Sequence, residues 1–184
     1  MVSIMCVNNE IGAIEPVEEI GKIVKSFDPK ILFHTDCIQA YGKLNCYPKK
    51  WKADMISVSG HKIHGPKGIG FIYIKNGTKI KPIIWGGNQQ KGMRSGTENV
   101  PGIAGLGKAA ELIYENHEEK IAHIREIKDH FIKRVMEEIP DVKDNSGDAP
   151  HVASISFLGV RSEVLLHALE EREIYVSAGS ACSS

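Results

Sequence analysis

The sequence opens with an apolar segment, an amphipathic helix and a second apolar segment, and this order limits the possible folds more than any other feature. Val2–Val7 has the length and character of a buried strand. Pro16 suits the first position of a helix, and apolar residues then recur at helical spacing at Val17, Ile20, Ile23, Val24 and Phe27. Ile31–Thr35 is the next apolar run. Strand, helix and strand at these lengths predict a βαβ unit with two parallel strands, and therefore an α/β fold.

Two further strands are predicted over Met55–Val58 and Ile69–Ile74, on either side of a glycine-rich loop. The pattern changes after Gly102. We therefore expect residues 1–102 to form a portion of a large α/β domain with a mainly parallel sheet and flanking helices. Residues 103–184 are expected to form connecting helices and the start of a smaller α+β domain.

The second half is predicted to contain three helices and two short strands. Helices are expected over 103–116, 120–139 and 163–172, with Ser162 as the cap of the last one. The middle helix has an apolar stripe that we expect to be buried, formed by Ile121, Ile124, Ile127, Phe131, Val135 and Ile139. The strands are expected over Val152–Phe157 and Ile174–Val176.

Charge and cysteine spacing exclude several classes of function. The chain has 184 residues, with 23 Lys and Arg against 23 Asp and Glu, so bulk electrostatics gives no reason to expect nucleic-acid or membrane binding. The apolar runs are too short to span a membrane, and the N-terminus does not resemble a secretion signal. The four cysteines lie far apart without a CxxC motif, which disfavours a metal site or a disulfide framework. We expect a cytoplasmic protein without a metal.

Polar residues follow three of the predicted strands. Asn8, Asn9 and Glu10 follow the first; Asp36, Cys37 and Gln39 follow the second; Ser59-Gly60-His61-Lys62 follows the third. Ligands of open α/β sheets bind beyond the carboxyl ends of the strands. The three groups together therefore predict one binding site at that edge.

Lys62 and Asp36 each allow a structural and a chemical interpretation. A lysine in a glycine-rich loop is usually an exposed turn residue, but its amine could also form a Schiff base with an aldehyde. The small residues around it would let a flat, phosphorylated cofactor approach the backbone. Asp36 could cap a helix, or it could keep the pyridinium nitrogen of pyridoxal phosphate protonated. His61 and His64 could form a metal pair, but no acidic or cysteine ligand is suitably spaced.

Taken together, these residues resemble the cysteine desulfurases, which are class V aminotransferases of the fold-type I pyridoxal-phosphate enzymes. The resemblance covers essentially the whole chain, with its motifs in the family's order. The matching segments are residues 2–5 and 7–12, His34-Thr35-Asp36 with Gln39, Ser59-Gly60-His61-Lys62, Gly65-Pro66-Lys67-Gly68, Gly92-Met93-Arg94-Ser95-Gly96-Thr97 and Ser177-Ala178-Gly179-Ser180-Ala181-Cys182. The resemblance implies that the chain is part of the large domain of such an enzyme, followed by the start of its small domain.

The resemblance implies a role for each matching residue toward pyridoxal 5'-phosphate. Lys62 would bind the cofactor covalently and shuttle protons at the α-carbon of the substrate. Asp36 would pair with the pyridine nitrogen, and Gln39 would bond the phenolic oxygen, near which Asn9 would also lie. The phosphate would be held by Ser59 and His61, and by Thr97 from the partner subunit of a homodimer.

Cys182 would be the nucleophile that takes sulfur from L-cysteine, leaving a persulfide on the enzyme and releasing L-alanine. Its small polar neighbours leave room for a thiol to reach both a cofactor and an acceptor. The persulfide would pass to a scaffold or carrier protein for iron–sulfur cluster or thio-cofactor assembly. Without the preceding motif, Cys182 would be an exposed cysteine without function. We expect no role for Cys6, Cys37 and Cys46.

The sequence departs from the family pattern in one loop, where Asn88, Gln90 and Lys91 replace the usual Gly, Glu and Arg. The family's N-terminal phosphate loop, its stacking histidine and its carboxylate-binding arginine do not fall within residues 1–184. We therefore expect the sequence to be a piece of a longer protein. Two alternatives stay open at this point: a non-catalytic fragment that packs against another polypeptide, and a related activity such as selenocysteine lyase.

Overall fold

A computed structural model describes residues 1–179, and these residues form two compact units. The first unit contains residues 1–6 and 16–117, and the second contains residues 7–15 together with the described residues from 118 onward. The domain boundary at residue 102 stays a prediction.

The first unit is built on a four-stranded sheet that is mainly parallel. Its strands are β1 (Val2–Met5), β2 (Phe33–Asp36), β3 (Met55–Ser59) and β4 (Gly70–Ile74), in the order β1-β2-β3-β4. The β1–β2 and β2–β3 pairs are parallel, whereas β4 runs antiparallel to β3. The helix α1 (Val17–Phe27) lies between β1 and β2 in the chain, with Pro16 at its N-cap. The predicted βαβ unit and the α/β fold class are thus confirmed.

The sheet is covered by closely packed residues on α1 and on the segment before β3. Phe33 is completely buried, and Trp51 and Ile56 belong to the same set of buried apolar side chains. A Cβ atom placed on Gly21 of α1 would lie 1.9 Å from the carbonyl oxygen of Trp51 and 3.0 Å from the ring of Phe33. Only glycine therefore allows α1 to come this close to the chain.

Asp54 forms a buried ionic cluster at the amino-terminal end of β3. Its carboxylate is only 5% exposed; its Oδ2 accepts hydrogen bonds from the Lys25 ammonium and, at 2.9 Å, from the Phe33 N–H. Lys75 lies 3.7 Å from Oδ1. Burial pushes the pKa of Asp54 upward, but the hydrogen bonds from Lys25 and Phe33 and the nearby lysine charges outweigh it and hold the pKa below its usual value.

Replacing Asp54 with alanine is expected to lower the free energy of unfolding by about 3–5 kcal/mol, because it leaves the Lys25 ammonium buried without its counter-charge. Urea denaturation would measure the loss. A carboxylate with a depressed pKa stabilises the fold above its unfolded pKa of about 3.9, and this contribution is lost as the pH falls through the folded value. Asp54→Asn should therefore flatten the decline of stability below pH ~4.

Glu18→Ala is the matched control, since Glu18 pairs with Lys22 and Lys50 on the surface of the same unit. Exposed pairs of this kind contribute little, so the control should unfold close to the wild-type urea concentration. An Asp54→Ala midpoint equal to that of the control would contradict a stabilising buried cluster.

Helix α2 (Val100–Tyr114) is the last element of the first unit, and it packs against the turn that follows β3. The Asn99 side chain caps it by accepting a 3.1 Å hydrogen bond from the Gly102 N–H. Leu106 and Ala109 of α2 form a buried apolar cluster with Ile63, which is 1% exposed. This cluster anchors the loop that carries Lys62.

The second unit contains a long helix, a small antiparallel sheet and a short helix. These elements are α3 (His117–Glu138, of which residues from 118 belong to this unit), β5 (Val142–Asp144), β6 (Ile155–Phe157) and α4 (Ser162–Glu170). Lys128 of α3 is 9% exposed and donates hydrogen bonds to the carbonyl oxygens of Gly147 and Ala149. The N–H groups of these two residues donate in turn to the carbonyls of Ile11 and Gly12. Lys128 therefore stabilises the loop around Gly147 and Ala149, and this loop is hydrogen-bonded to the segment that contains Asn9.

Three predictions for the second half are wrong. The stripe on α3 is mostly exposed: Ile127 is 55% and Phe131 47% exposed, and only Val135 is buried, because strands of three residues cannot cover a helix of about six turns. Helix α4 begins at Ser162, so Arg161 takes the cap position without a side-chain hydrogen bond. Ile174–Val176 forms no strand, since no described strand pairs with it.

No helix in residues 1–179 is both long and apolar enough to cross a lipid bilayer.

Candidate active site

Two of the three predicted polar groups meet at the carboxyl edge of the sheet in the first unit. Asp36 ends β2 and Ser59 ends β3, and in the parallel register Asp36 lies opposite Ser57. Since residues two apart on a strand point to the same face, Asp36, Ser57 and Ser59 share one side of the sheet. The loops carrying Gln39 and Lys62 therefore start from neighbouring strand ends.

Asp36 sits in a turn rather than at the start of a helix. Its Oδ1 accepts a 2.8 Å hydrogen bond from the Ile38 N–H, and the Cys37 carbonyl accepts from the N–H groups of Ala40 and Tyr41. The turn places Gln39 half-buried, three residues after Asp36. The second carboxylate oxygen, Oδ2, has no hydrogen-bond partner among the described residues, so it remains available to a ligand that carries a proton or a positive charge.

Lys62 lies on a short 3₁₀ turn, Gly60–Ile63, directly after β3. The Gly60 carbonyl closes this turn by accepting from the N–H groups of His64 and Gly65. Ile63 is buried below the turn, whereas Lys62 is exposed. The Lys62 amine forms no hydrogen bond with the described residues. The turn therefore presents a primary amine to the space beyond the sheet edge.

A hydroxyl and an imidazole precede Lys62 in the same segment. Ser59 Oγ and His61 Nδ1 are 2.7 Å apart and share a hydrogen bond. Gly60, between them, lies so close to the chain that a Cβ atom would be 3.1 Å from the Ile69 carbonyl and 3.1 Å from Leu106. Small residues at this point keep the backbone accessible, and hydroxyl, imidazole and backbone groups are suitable donors for a phosphate.

These residues fit pyridoxal phosphate, judged by the chemistry of the groups they offer. The cofactor has an aldehyde that reacts with an amine, a ring nitrogen that needs an anionic partner, and a phosphate that needs donors. Lys62 supplies the amine, Oδ2 of Asp36 supplies the anion, and Ser59 and His61 supply the donors. All four lie on two adjacent strand ends of one unit.

The other predicted site residues belong to other segments of the described chain or fall outside it. Thr97 is exposed in the loop before α2. Asn9 is exposed in a turn of the second unit, where Asn8 Oδ1 accepts from the N–H groups of Glu10 and Ile11. Cys182 lies outside residues 1–179. The assignment of all three to the site stays a prediction.

Three reduced cysteines lie in the first unit, and one of them, Cys37, directly follows Asp36. Cys37 is completely buried and Cys6 is 3% exposed, whereas Cys46 is half-buried. Hydrogen bonds with Cys46 and Cys6, together with burial, raise the pKa of Cys37 far above its usual value. Its thiol therefore stays protonated and is a poor nucleophile at neutral pH. Within residues 1–179, no group of three His, Cys, Asp or Glu side chains is placed to hold a metal ion.

Sequence reasoning missed Lys43, which contacts the candidate site directly. Lys43 is half-buried in the turn after β2, and its ammonium donates a hydrogen bond to the backbone carbonyl of Lys62. A single lysine after a glycine belongs to no periodic pattern or motif, so this contact can be identified only from the folded structure.

Comparison with known proteins identifies relatives that match the chain over its whole length. The sequence model of the family described as aminotransferase class-V matches residues 1–184. The chain is 44% identical over 189 residues to cysteine desulfurase IscS of Clostridium botulinum (strain Hall), with all of this chain and 47% of that protein aligned. It is 45% identical over 187 residues to cysteine desulfurase IscS of Dictyoglomus turgidum, again covering 47% of the relative. The chain thus spans about half the length of the curated relatives that it matches.

Solved structures show the same similarity. A NifS-like protein superposes with a TM-score of 0.91 at 39% identity, covering 96% of this chain and 48% of that one. The NifS-like protein from Rickettsia africae ESF-5 gives a TM-score of 0.91 at 34% identity, covering 97% and 50%. With the family pattern matching from the first residue to the last and the fold agreeing this closely, the chain belongs to the class-V aminotransferase family.

Proposed function

We propose that this chain supplies the cofactor-binding and sulfur-accepting residues of a pyridoxal-phosphate-dependent cysteine desulfurase. One observation carries the proposal: the exposed amine of Lys62 and the unpartnered oxygen of Asp36 lie on adjacent strand ends of the same sheet edge. The similarity to proteins named cysteine desulfurase supports the choice of reaction. In this reaction L-cysteine and an enzyme thiol give L-alanine and an enzyme persulfide.

Pyridoxal phosphate, when bound, supplies an electron sink for bond breaking next to the amino group of the substrate. Lys62 holds the cofactor through its amine, and the same amine then takes and returns a proton at the α-carbon. Asp36 would keep a proton on the ring nitrogen, and its Oδ1 is fixed by the Ile38 N–H. That internal hydrogen bond orients the carboxylate before any ligand arrives.

Ser59 and His61 bind the phosphate, and Thr97 contributes to the phosphate site of a second subunit in a homodimer. Gln39 and Asn9 bind near the phenolic oxygen. These assignments follow the family's motifs at the matching positions. They are supported by the mutual hydrogen bond of Ser59 and His61, which holds both side chains at the strand end.

Cys182 is the sulfur acceptor. Its thiolate forms a bond to the substrate sulfur while the carbon–sulfur bond breaks, and the carbon keeps the electron pair and gains a proton to become the methyl group of L-alanine. The persulfide then passes to a scaffold or carrier protein for iron–sulfur cluster or thio-cofactor assembly. We place this chemistry in the cytoplasm.

A single-turnover experiment tests the proposed reaction. The chain is incubated with pyridoxal phosphate and L-cysteine without reductant, and alanine and protein persulfide are measured together. The two products should appear in equal amounts, up to one persulfide per chain, because the reaction transfers one sulfur atom for each alanine. A dithiol should then release the sulfur as sulfide.

D-Cysteine is the matched substrate control and should give neither product. L-Selenocysteine in place of L-cysteine separates a desulfurase from a selenocysteine lyase, since a lyase would prefer the selenium compound. Alanine without persulfide would contradict the proposed function.

A further inference from the structure

A lysine side chain joins the loop that carries Lys62 to the loop that follows Asp36. The Lys43 ammonium donates a hydrogen bond to the backbone carbonyl of Lys62, across 19 residues of sequence. The bond uses the main chain of Lys62, so the Lys62 amine stays available. It joins the turns that follow β2 and β3, the two turns on which the candidate site depends.

The backbone just before Lys43 is fixed, because both the N–H and the carbonyl group of Gly42 form hydrogen bonds. The Gly42 N–H donates to the hydroxyl of Tyr114 at 3.2 Å, and the Gly42 carbonyl is 3.2 Å from Nε2 of His117, which donates to it. Gly42 adopts φ +77°, and a Cβ atom there would lie 2.9 Å from Ile113. The Lys43 N–H also donates to the Ala40 carbonyl at 2.9 Å. The lysine therefore extends from a fixed point.

Stability alone does not favour a lysine in this place. Burial first, and the nearby charge of Lys62 second, lower the pKa of Lys43. A half-buried cation close to a second cation is an unfavourable arrangement. Such arrangements concentrate at functional sites, where the geometry they produce compensates for their cost.

We propose that Lys43 is a positioning residue, whose hydrogen bond to the Lys62 carbonyl fixes the Gly60–Ile63 turn and so directs the Lys62 amine toward the cofactor. This inference rests on the proposed function for its role in the reaction. The contact itself is a property of the chain without any ligand. Lys43 acts through the backbone of Lys62.

The test compares Lys43→Met, which removes the ammonium, with Lys43→Arg, which keeps a cation and its donors. Lys49→Met is the matched control, because Lys49 is exposed in the following turn and its side chain bonds none of the described residues. Hydrogen exchange of the peptide covering residues 60–65 is measured without cofactor. The amides of His64 and Gly65 donate to the Gly60 carbonyl, so their exchange reports opening of the turn.

Lys43→Met is expected to speed exchange in this peptide by about tenfold, the loss expected for a hydrogen bond to a charged group. Lys43→Arg should keep most of the protection, and Lys49→Met should behave as wild type. Exchange in the peptides of β2 and α1 should not change. Unchanged exchange at 60–65 in Lys43→Met, or an equal increase over the whole unit, would overturn the inference.

A second readout separates this inference from the proposed function. The chain is treated with pyridoxal phosphate and borohydride, and peptide mapping measures how much of the label is on Lys62. Lys43→Met should lower this labelling by about tenfold relative to wild type, with recovery in Lys43→Arg. Wild type without label at Lys62 would overturn the proposed function and the reaction role of Lys43. Faster exchange in Lys43→Met would still establish the contact between the two loops.

Discussion

Replacing Lys62 with alanine is expected to abolish covalent retention of pyridoxal phosphate and to lower alanine formation from L-cysteine by at least about a hundredfold. In the proposed function the amine is both the attachment point of the cofactor and the group that moves a proton at the substrate α-carbon, so its removal should affect every step of the reaction. The 3₁₀ turn should persist in the variant, because Lys43 bonds the backbone carbonyl of residue 62 rather than its side chain. The visible absorbance of the chain after gel filtration with cofactor measures retention.

Two further variants decide whether the loss is specific. Lys62→Arg keeps a positive charge at the position but offers no amine that condenses with an aldehyde, so it should also remain colourless. Lys79→Ala removes an exposed lysine of the same unit and should keep the full absorbance. A Lys62→Ala chain that carries a covalent cofactor label on another lysine after borohydride reduction would show that this other lysine binds the cofactor.

The elements of the first unit could be predicted because each depends on short-range patterns. The spacing of Val17, Ile20 and Val24 specified α1, and the order of strand, helix and strand specified a parallel pair. Most boundaries shifted by no more than two residues, and the strand expected over Val2–Val7 ends at Met5. Helix α2 begins at Val100, three residues earlier than expected. The polar residues after β2 and β3 could be predicted as site residues for a similar reason. Once the strands are located in the sequence, the loops that follow them are known to lie at the carboxyl edge of the parallel sheet.

The second unit was harder to predict because its apolar residues depend on what covers them. The apolar residues of α3 recur at the helical period. This period shows only that one face of the helix is apolar, and not that another element covers that face. Ile127 and Phe131 are therefore helical as expected and exposed against expectation. The strand expected at Ile174–Val176 failed in the same way, since a strand forms only when another strand pairs with it.

Lys43 shows which part of the candidate site the sequence could not reveal. Its contact with Lys62 joins residues from different loops, and it depends on the fixing of Gly42 by Tyr114 and His117, more than 70 residues away in sequence. Neither propensity nor motif spacing encodes such a contact. The same holds for Asp54, whose ion pair with Lys25 appears only when α1 packs against the sheet.

Replacing Cys182 with serine is expected to remove the protein persulfide and to lower sulfide release from L-cysteine by at least about a hundredfold, while cofactor retention stays at the wild-type level. A serine hydroxyl is not deprotonated at neutral pH and does not form a stable bond to a transferred sulfur, whereas a thiolate does both. The two measurements should therefore give different results for this variant. In the proposed function the absorbance depends on Lys62 and Asp36, whereas the persulfide depends on Cys182. Mass spectrometry of the chain after a single turnover locates the added sulfur.

Cys46→Ser is the matched control, because Cys46 is the most accessible of the described cysteines. It donates a weak 3.8 Å hydrogen bond to the Leu44 carbonyl, which a serine hydroxyl can replace, so persulfide formation should be unchanged. Cys37 is no substitute acceptor, since its raised pKa keeps the thiol protonated. A persulfide found on Cys46 in the Cys182→Ser chain would therefore refute the assignment of the nucleophile while leaving the cofactor site intact. A persulfide absent from both variants would instead show that Cys46 takes part in the transfer.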